Sequence, residues 1–191
     1  MIDIAIIITP KDDETKLQRC LYSLRNEQCP IYFIDGKQGK IGHGRAESLN
    51  VGRNPYVSFV DPDDEIIPGI YGKIRANLGF YPEVLYHNEL IVDSTNGTIH
   101  HGWMVDYTTI QVVPERLRGF LWDSQNQRFA HHRGVFKKES ALKYEKQLSK
   151  LHECCEGQLM QMMGTNGEIK YLNEFGYIWN IHGKNTVMEW I

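Results

Sequence analysis

The sequence predicts an α/β fold in which a mostly parallel central sheet is flanked by helices. The first indication is a nearly unbroken apolar, β-branched run at residues 2–9, which is typical of a strand buried on both faces. Apolar residues then recur at helical spacing over 12–26, and a second short apolar run follows at 31–34. A strand, a helix and a strand in succession form a βαβ unit, in which the two strands are parallel.

The rest of the chain continues this succession of helices and strands. Further helices are predicted at 44–53, directly after Pro68, at 138–150 and at 153–163. Further strands are predicted at 56–60, 84–92, 107–113, 129–136, 168–172 and 177–182. No internal repeat, low-complexity segment or linker divides these elements, so we expect residues 1–191 to form a single domain.

The composition is ordinary for a soluble globular protein, with 41% hydrophobic and 24% charged residues. No apolar run approaches the ~20 residues that a membrane helix needs, and the first residues lack the basic start of a signal peptide. These features predict a cytoplasmic protein without membrane insertion. The net charge of −3 argues against nucleic-acid binding through overall charge. The four cysteines show no Cys-x-x-Cys spacing and are expected to be reduced residues buried in helices rather than zinc ligands.

An acidic motif, Asp61-Pro-Asp-Asp64, directly follows the predicted strand 56–60. Ligands of open α/β sheets bind beyond the carboxyl ends of the strands. Residues two apart in an extended segment face the same way, so Asp61 and Asp63 are expected to point into one crevice, with Pro62 fixing the backbone between them. Two carboxylates this close repel each other unless a cation lies between them. Mg²⁺ or Mn²⁺ bound by carboxylates and phosphate oxygens fits this arrangement.

The acidic motif and the glycine-rich segment 36–44 each have other interpretations. An EF-hand calcium loop is excluded, because its sixth and twelfth positions would be Ile66 and Gly72 instead of glycine and glutamate. A solvated turn that caps the next helix remains an alternative for the acidic motif. The glycine-rich segment 36–44 matches no phosphate-binding pattern, and both a mobile polar loop and a loop that covers a donor are compatible with it.

Several motifs in fixed order resemble those of the family 2 glycosyltransferases of GT-A fold. They are Ser48-Leu-Asn50-Val-Gly52, then Asp61-Pro-Asp-Asp64 with Pro68, then Glu153-Cys-Cys-Glu156 before an apolar helix, and Tyr177-Ile-Trp-Asn-Ile-His182. The resemblance spans nearly the whole chain and implies a GT-A-type, Rossmann-like sandwich. It also implies a nucleotide-binding part at 1–65 and an acceptor-side part at 66–191. The Gln-x-x-Arg-Trp signature of processive synthases is absent, so the resemblance is to a compact, non-processive enzyme.

The resemblance implies a metal and diphosphate site. In the matching positions Asp63 would be the principal ligand of Mn²⁺ or Mg²⁺, and Asp61 would contact the metal or the donor ribose. His182 would reach back to the metal or the diphosphate, and Lys184 would be a phosphate partner nearby.

The resemblance also implies a nucleotide pocket and a catalytic base. Thr9 and Pro10, after the first strand, and Asp35, at the end of the second, would line the pocket for the base and ribose. Glu156 would be the general base, with Glu153 as its substitute. Cys155 replaces the first acid of the family's Glu-Asp pair.

The implied reaction is inverting, metal-dependent transfer of one sugar from a nucleotide-diphosphate donor, with a UDP-sugar favoured, to an acceptor hydroxyl. A glycan is the expected acceptor, and a modified DNA base is an option because a lysine-rich stretch at 137–150 would offer phosphate contacts. Two alternatives remain. A catalytically inactive nucleotide-sugar binding module would explain Cys155, and a nucleotidyltransferase would share the architecture but should carry a glycine-rich basic loop after the first strand.

Overall fold

The computed structural model describes residues 1–37, 40–79, 81–102, 121–123, 128–130, 134–152, 155–165 and 167–182. The strands of these residues are β1 (Ile2–Ile8), β2 (Ile31–Asp35), β3 (Tyr56–Val60), β4 (Glu65–Ile66), β5 (Val84–Asp93), β6 (Thr98–Gly102), β7 (Leu121–Asp123), β8 (Arg128–Ala130), β9 (Gly134–Lys137) and β10 (Ile169–Ile181). The helices are α1 (Glu14–Leu24), α2 (Ile41–Ser48), α3 (Ile70–Asn77), α4 (Lys138–Ala141), α5 (Glu145–Leu148) and α6 (Cys155–Gly164). None of the helices in this part of the chain is long and apolar enough to cross a membrane.

The main sheet has the strand order β2-β1-β3-β9-β5-β10-β4, and β6 pairs with β5 outside this path. Strands β1, β2, β3, β5 and β10 run in one direction, because β9 lies antiparallel between β3 and β5. Strands β4, β6 and β9 run the opposite way. The predicted α/β fold with a mostly parallel sheet flanked by helices is therefore confirmed. The sheet takes strands from both predicted parts of the chain.

Hydrophobic cores lie on both faces of the sheet. In β1, Ile4 and Ile6 join the cluster that contains residues of α1 and α3, whereas Ala5 and Ile7 join the cluster under α2, α5 and α6. Successive strand residues point to opposite faces, so a run buried on both sides must be apolar throughout. This is why residues 2–9 are nearly continuous in hydrophobicity.

The glycine-rich segment 36–44 is in part a packed helix. Helix α2 begins at Ile41, three residues before the predicted start, and ends at Ser48. A side chain at Gly42 would collide with the carbonyl oxygens of Leu148 and Leu151, and one at Gly44 would lie 2.9 Å from Ile7 Cδ1. The interpretation of 41–44 as a mobile or donor-covering loop is therefore wrong, because these glycines allow α2 to approach α5 and β1 closely. Residues 38 and 39 lie outside the described part.

Other boundaries also differ from the predictions. The expected helix 138–150 is divided into α4, a 3₁₀ turn at 142–144 and α5, because the backbone at Tyr144 leaves helical values. The two expected strands 168–172 and 177–182 form one strand, β10, whose register with β5 shifts between Leu172 and Tyr177. The expected strand at 107–113 lies outside the described residues.

A buried ion pair fixes the start of β1. Lys138 Nζ lies 2.5 Å from Asp3 Oδ2 and also donates to the carbonyl of Val51. Asp3 accepts two further hydrogen bonds from Asn54, from the backbone N–H at 3.0 Å and from Nδ2 at 2.6 Å. Lys137, its neighbour, pairs with Glu83 at 3.1 Å. Two lysines of the stretch that would contact nucleic acid therefore form internal ion pairs.

We expect Lys138→Met to lower the free energy of unfolding by about 3–5 kcal/mol, because it leaves the carboxylate of Asp3 buried without its cation. Urea denaturation followed by circular dichroism measures this loss. The double variant Asp3→Asn/Lys138→Met removes both charges and should recover most of it. A single variant as stable as the double one would contradict the assignment.

Candidate functional site

The predicted nucleotide-pocket residues lie at one edge of the sheet. In the registers of the parallel strands, Ile8 of β1 pairs with Asp35 of β2, and β3 ends on the other side of β1, so Asp35, Thr9 and Asp61 follow one another along this edge. Thr9 is half-buried and its N–H donates to Asp12 Oδ2 at 2.5 Å, whereas Pro10 and Asp35 are exposed. The carboxyl ends of three adjacent parallel strands thus form the kind of edge at which ligands of α/β sheets bind.

The acidic loop, residues 61–64, is held in place by its last member. Asp64 is 1% exposed, and its carboxylate accepts hydrogen bonds from the hydroxyl of Tyr177 at 2.8 Å and from the backbone N–H of Asn180 at 2.8 Å. The same tyrosine oxygen accepts the backbone N–H of Asp61 at 3.1 Å. Asp64 is therefore a structural residue that connects the acidic loop to β10, a role that was not predicted from the sequence.

Asp63 lies beside His182 at the end of β10. His182 Nε2 and Asp63 Oδ2 are 2.7 Å apart, although 119 positions separate them in the sequence. The backbone carbonyl of Asp63 accepts hydrogen bonds from Asn180 Nδ2 at 3.1 Å and from Arg19 at 3.3 Å. Both partners of the pair are partly open to solvent, with side-chain exposures of 31% for Asp63 and 20% for His182. A ligand at this edge of the sheet can reach them.

Asp61 points to a different partner, Arg45 of α2. The Arg45 side chain is 1% exposed, and its NH2 atom contacts Asp61 Oδ1 and lies 2.6 Å from Glu156 Oε1. Glu156 stands in the first turn of α6 and is 9% exposed. One buried guanidinium therefore joins two of the predicted functional carboxylates. We call these three side chains the Arg45 bridge.

Arg45 is not among the site residues that the sequence predicts. The available signal was its setting, because an arginine between Gly44 and Ala46 lies in a stretch of small residues that packs closely on the sheet. A charge in such a stretch is buried and needs partners. Helical spacing alone could not identify these partners, since they come from β3 and α6.

The predicted metal ligands thus belong to two separate groups of side chains. Asp63 and His182 form one pair, whereas Asp61 belongs to the Arg45 bridge. Within the part of the chain that the structure describes, no group of three or more His, Cys, Asp or Glu side chains is arranged to hold a metal ion. Glu153 and Lys184, the substitute base and the phosphate partner, lie outside the described residues.

A buried thiol lies directly behind the acidic loop. Cys20 Sγ donates to the backbone carbonyl of Asp61 at 3.6 Å. Burial raises the pKa of this thiol to about 12, and the carboxylates of Asp61, Asp63, Asp64 and Glu65 add to the shift. A thiol that stays protonated has a structural role here, as predicted for a cysteine buried in a helix. Arg19 pairs with Glu65 at 2.9 Å and Arg45 pairs with Asp61, so these two arginines offset part of the negative charge of the four acids.

The raised pKa of Cys20 predicts slow alkylation of the native protein by iodoacetamide at pH 8, and fast alkylation after unfolding in urea. Mass spectrometry of the Cys20 peptide measures both rates. Since the folded-state pKa lies above the ordinary value of 9.0, the contribution to stability is complete below pH 9 and declines as the pH rises from 9 towards 12. Cys20→Ser should flatten part of that decline. Equal labelling rates before and after unfolding would contradict the burial.

Tyr177→Phe should reduce the free energy of unfolding by about 1–3 kcal/mol, because the buried carboxylate of Asp64 loses a hydrogen-bond donor. Chemical denaturation gives this value. Tyr22→Phe is the matched control, since Tyr22 is 65% exposed and its hydroxyl should contribute little. If both variants are equally stable, the hydroxyl of Tyr177 does not hold the acidic loop.

The described fold is similar to that of S. aureus TarS. No protein-family model matches the chain, and no curated protein matches it in sequence. Among solved structures, TarS 1–349 in complex with UDP-GlcNAc has a TM-score of 0.66 and 14% sequence identity over 99% of this chain and 61% of that one. The complex of TarS 1–349 with UDP has a TM-score of 0.59 and 17% identity over 94% of this chain and 60% of that one.

The chain spans about three fifths of the TarS segment that it matches. The similarity extends over nearly all of this chain, including the strands and helices that carry the acidic loop, β10 and the Arg45 bridge. At 14–17% identity this similarity shows that the two proteins share a fold. The chain has the GT-A-like α/β fold that its sequence predicts.

Proposed function

We propose that this chain is a glycosyltransferase that uses a nucleotide-sugar donor, with a UDP-sugar favoured. The observation that carries the proposal is the convergence at one sheet edge of Asp61, Asp63 and His182 with the buried carboxylate of Glu156. The fold is similar to that of TarS, whose solved complexes contain UDP-GlcNAc and UDP. A donor diphosphate at this edge would meet the acids through a cation.

The side chains at this edge include the types of ligand that a divalent cation binds. Asp63 and His182 would hold Mn²⁺ or Mg²⁺ with one carboxylate and one imidazole donor, and phosphate oxygens and water would supply the other ligands. When bound, the ion would neutralise the charge that develops on the departing diphosphate. Asp61, held by Arg45, would face the donor ribose, which is the other role that the family resemblance implies for it.

Glu156 would act as the general base. It would take the proton of the acceptor hydroxyl while that oxygen forms a bond to the anomeric carbon of the sugar. The bond from this carbon to the diphosphate oxygen breaks at the same time, and its electron pair leaves with the nucleotide diphosphate. One direct displacement inverts the anomeric carbon and needs no covalent nucleophile. The protein's main contribution would be to hold donor and acceptor in line.

One observation supports a second candidate, an inactive nucleotide-sugar binding module. Cys155 stands where the family has the first acid of its Glu-Asp pair, and this side chain is fully buried, so it cannot serve an acceptor. Release of UDP from a UDP-sugar in the presence of Mn²⁺ separates the two candidates, because a binding module would hold the donor without consuming it.

The ion pairs in the 137–150 stretch bear on the choice of acceptor. Lys137 and Lys138 are engaged with Glu83 and Asp3, which leaves fewer lysines for a nucleic-acid backbone. A glycan hydroxyl is therefore the acceptor that we propose, and a modified base in DNA is the less favoured option.

The proposal predicts different effects of two isosteric variants. Asp63→Asn should abolish the Mn²⁺-dependent rise in melting temperature that a nucleotide diphosphate or UDP-sugar produces, because binding to the native state stabilises it. Glu156→Gln should retain that rise but lower kcat by about 10²–10⁴-fold, the usual contribution of general base catalysis.

Matched controls are Asp93→Asn at the last residue of β5 and the exposed Glu139→Gln of α4, both of which should behave as the wild type. Thermal-shift assays with a panel of nucleotide sugars, with and without Mn²⁺, and a UDP-release assay supply the measurements. Wild-type turnover in the Glu156→Gln enzyme would show that the base lies elsewhere. The absence of any nucleotide response in the wild type would reject the function.

A further inference from the structure

The Arg45 bridge places one positive charge between two parts of the proposed site. Arg45 belongs to α2, Asp61 follows β3, and Glu156 stands in the first turn of α6. The NH2 atom of the guanidinium contacts both carboxylates, which are 27% and 11% exposed as side chains on either side of an arginine that is 1% exposed. Asp61 on the donor side and Glu156, the proposed base, thus contact the same buried nitrogen atom of Arg45.

The position of Arg45 is fixed independently of these acids. Gly42 and Gly44 bring α2 against the carbonyls after α5 and against Ile7 of β1, so the helix backbone has little freedom to shift. The guanidinium carbon of Arg45 also lies 5.2 Å from the centre of the Phe59 ring, which belongs to β3, the strand directly before Asp61. Held in this way, the guanidinium keeps its NH2 group between the carboxylates of Asp61 and Glu156.

Packing alone does not require a charge here. Buried ion pairs contribute little net stability compared with apolar residues of similar volume, since desolvation offsets the attraction. The surrounding core already contains Leu49, Phe59 and Leu159, which are nearly or fully buried. The arginine is therefore better explained by the two carboxylates that it positions than by the volume that it occupies in the core.

We propose that Arg45 is a positioning residue that sets the place of Glu156 relative to Asp61, and so aligns the base with the donor. This inference rests on the proposed glycosyltransferase function. Displacement requires the acceptor oxygen to lie in line with the breaking bond, and a misplacement of 1 Å costs about 10²-fold in rate. Arg45 touches neither substrate and acts through the two carboxylates.

Three variants test the bridge through kinetics. Arg45→Lys keeps the charge on a shorter side chain that lacks the NH2 group between the two acids, and we expect kcat to fall by about 10-fold or more while the melting temperature stays near that of the wild type. Arg45→Met should lower kcat further and raise the donor KM through Asp61. In Arg45→Met/Glu156→Gln the kcat should remain within about 3-fold of Glu156→Gln alone, because positioning has no effect once the base is absent.

The same variants give a reading that does not depend on turnover. Glu156→Gln should lower the melting temperature of the wild type, where it removes an ion pair. Added to Arg45→Met, the Glu156→Gln substitution should raise the melting temperature by about 2 °C or more, because it removes a buried charge that has lost its partner. Asp3→Asn/Lys138→Met is the control for loss of a buried cation remote from this site, and we expect its kcat to equal that of the wild type.

The results distinguish failure of the positioning role of Arg45 from failure of the proposed glycosyltransferase function. Rates are measured as UDP release in the presence of Mn²⁺, with whichever UDP-sugar of a panel gives the fastest wild-type turnover. Full kcat in Arg45→Lys, or losses that multiply in Arg45→Met/Glu156→Gln, would overturn the positioning role in an active enzyme. A wild type that neither binds nor consumes any nucleotide sugar would reject the function and leave Arg45 as an element of the fold only.

Discussion

The carboxylate of Asp64 connects the acidic loop to β10, and most of the candidate site depends on this connection. Asp64 accepts one hydrogen bond from a side chain and one from the backbone of β10, while Tyr177 also receives the N–H of Asp61. These bonds fix the loop from both of its ends. With the loop fixed, Asp63 meets His182 and Asp61 meets Arg45. Asp64, which would contact no substrate, thus orients Asp61 and Asp63, which would.

Buried cations in this protein follow a common pattern. Arg45 and Lys138 both lie inside the structure, and each contacts more than one oxygen from segments that are far apart in the sequence. A buried charge is tolerated when several well-placed partners replace the water that it loses. Lys138 connects the start of β1 to α4 at the end of the sheet remote from the acidic loop. Arg45 makes the same kind of connection beside the proposed reacting groups.

The sequence predicted what depends on local pattern, and it failed where distant segments meet. Continuous hydrophobicity identified β1 and β3, and the position of Asp61 after a buried strand placed it at the correct edge of the sheet. The packing of Gly42 and Gly44 was misread, because a glycine needed for close approach looks the same as one in a flexible loop. The partnership of Arg45 with Glu156 joins segments more than a hundred residues apart, and no local periodicity reports such a contact.

The long sequence separations in the site have a consequence for folding. The bond between Asp64 and Asn180 closes a segment of 116 residues, and that between Asp63 and His182 closes one of 119. Such distant pairings carry a large chain entropy cost and form after local structure has reduced it. The acidic loop therefore gains its final shape only when β10 docks beside β5. Order of synthesis has the same effect, because a ribosome-bound chain that stops before residue 177 has the first strands but not the finished ligand edge.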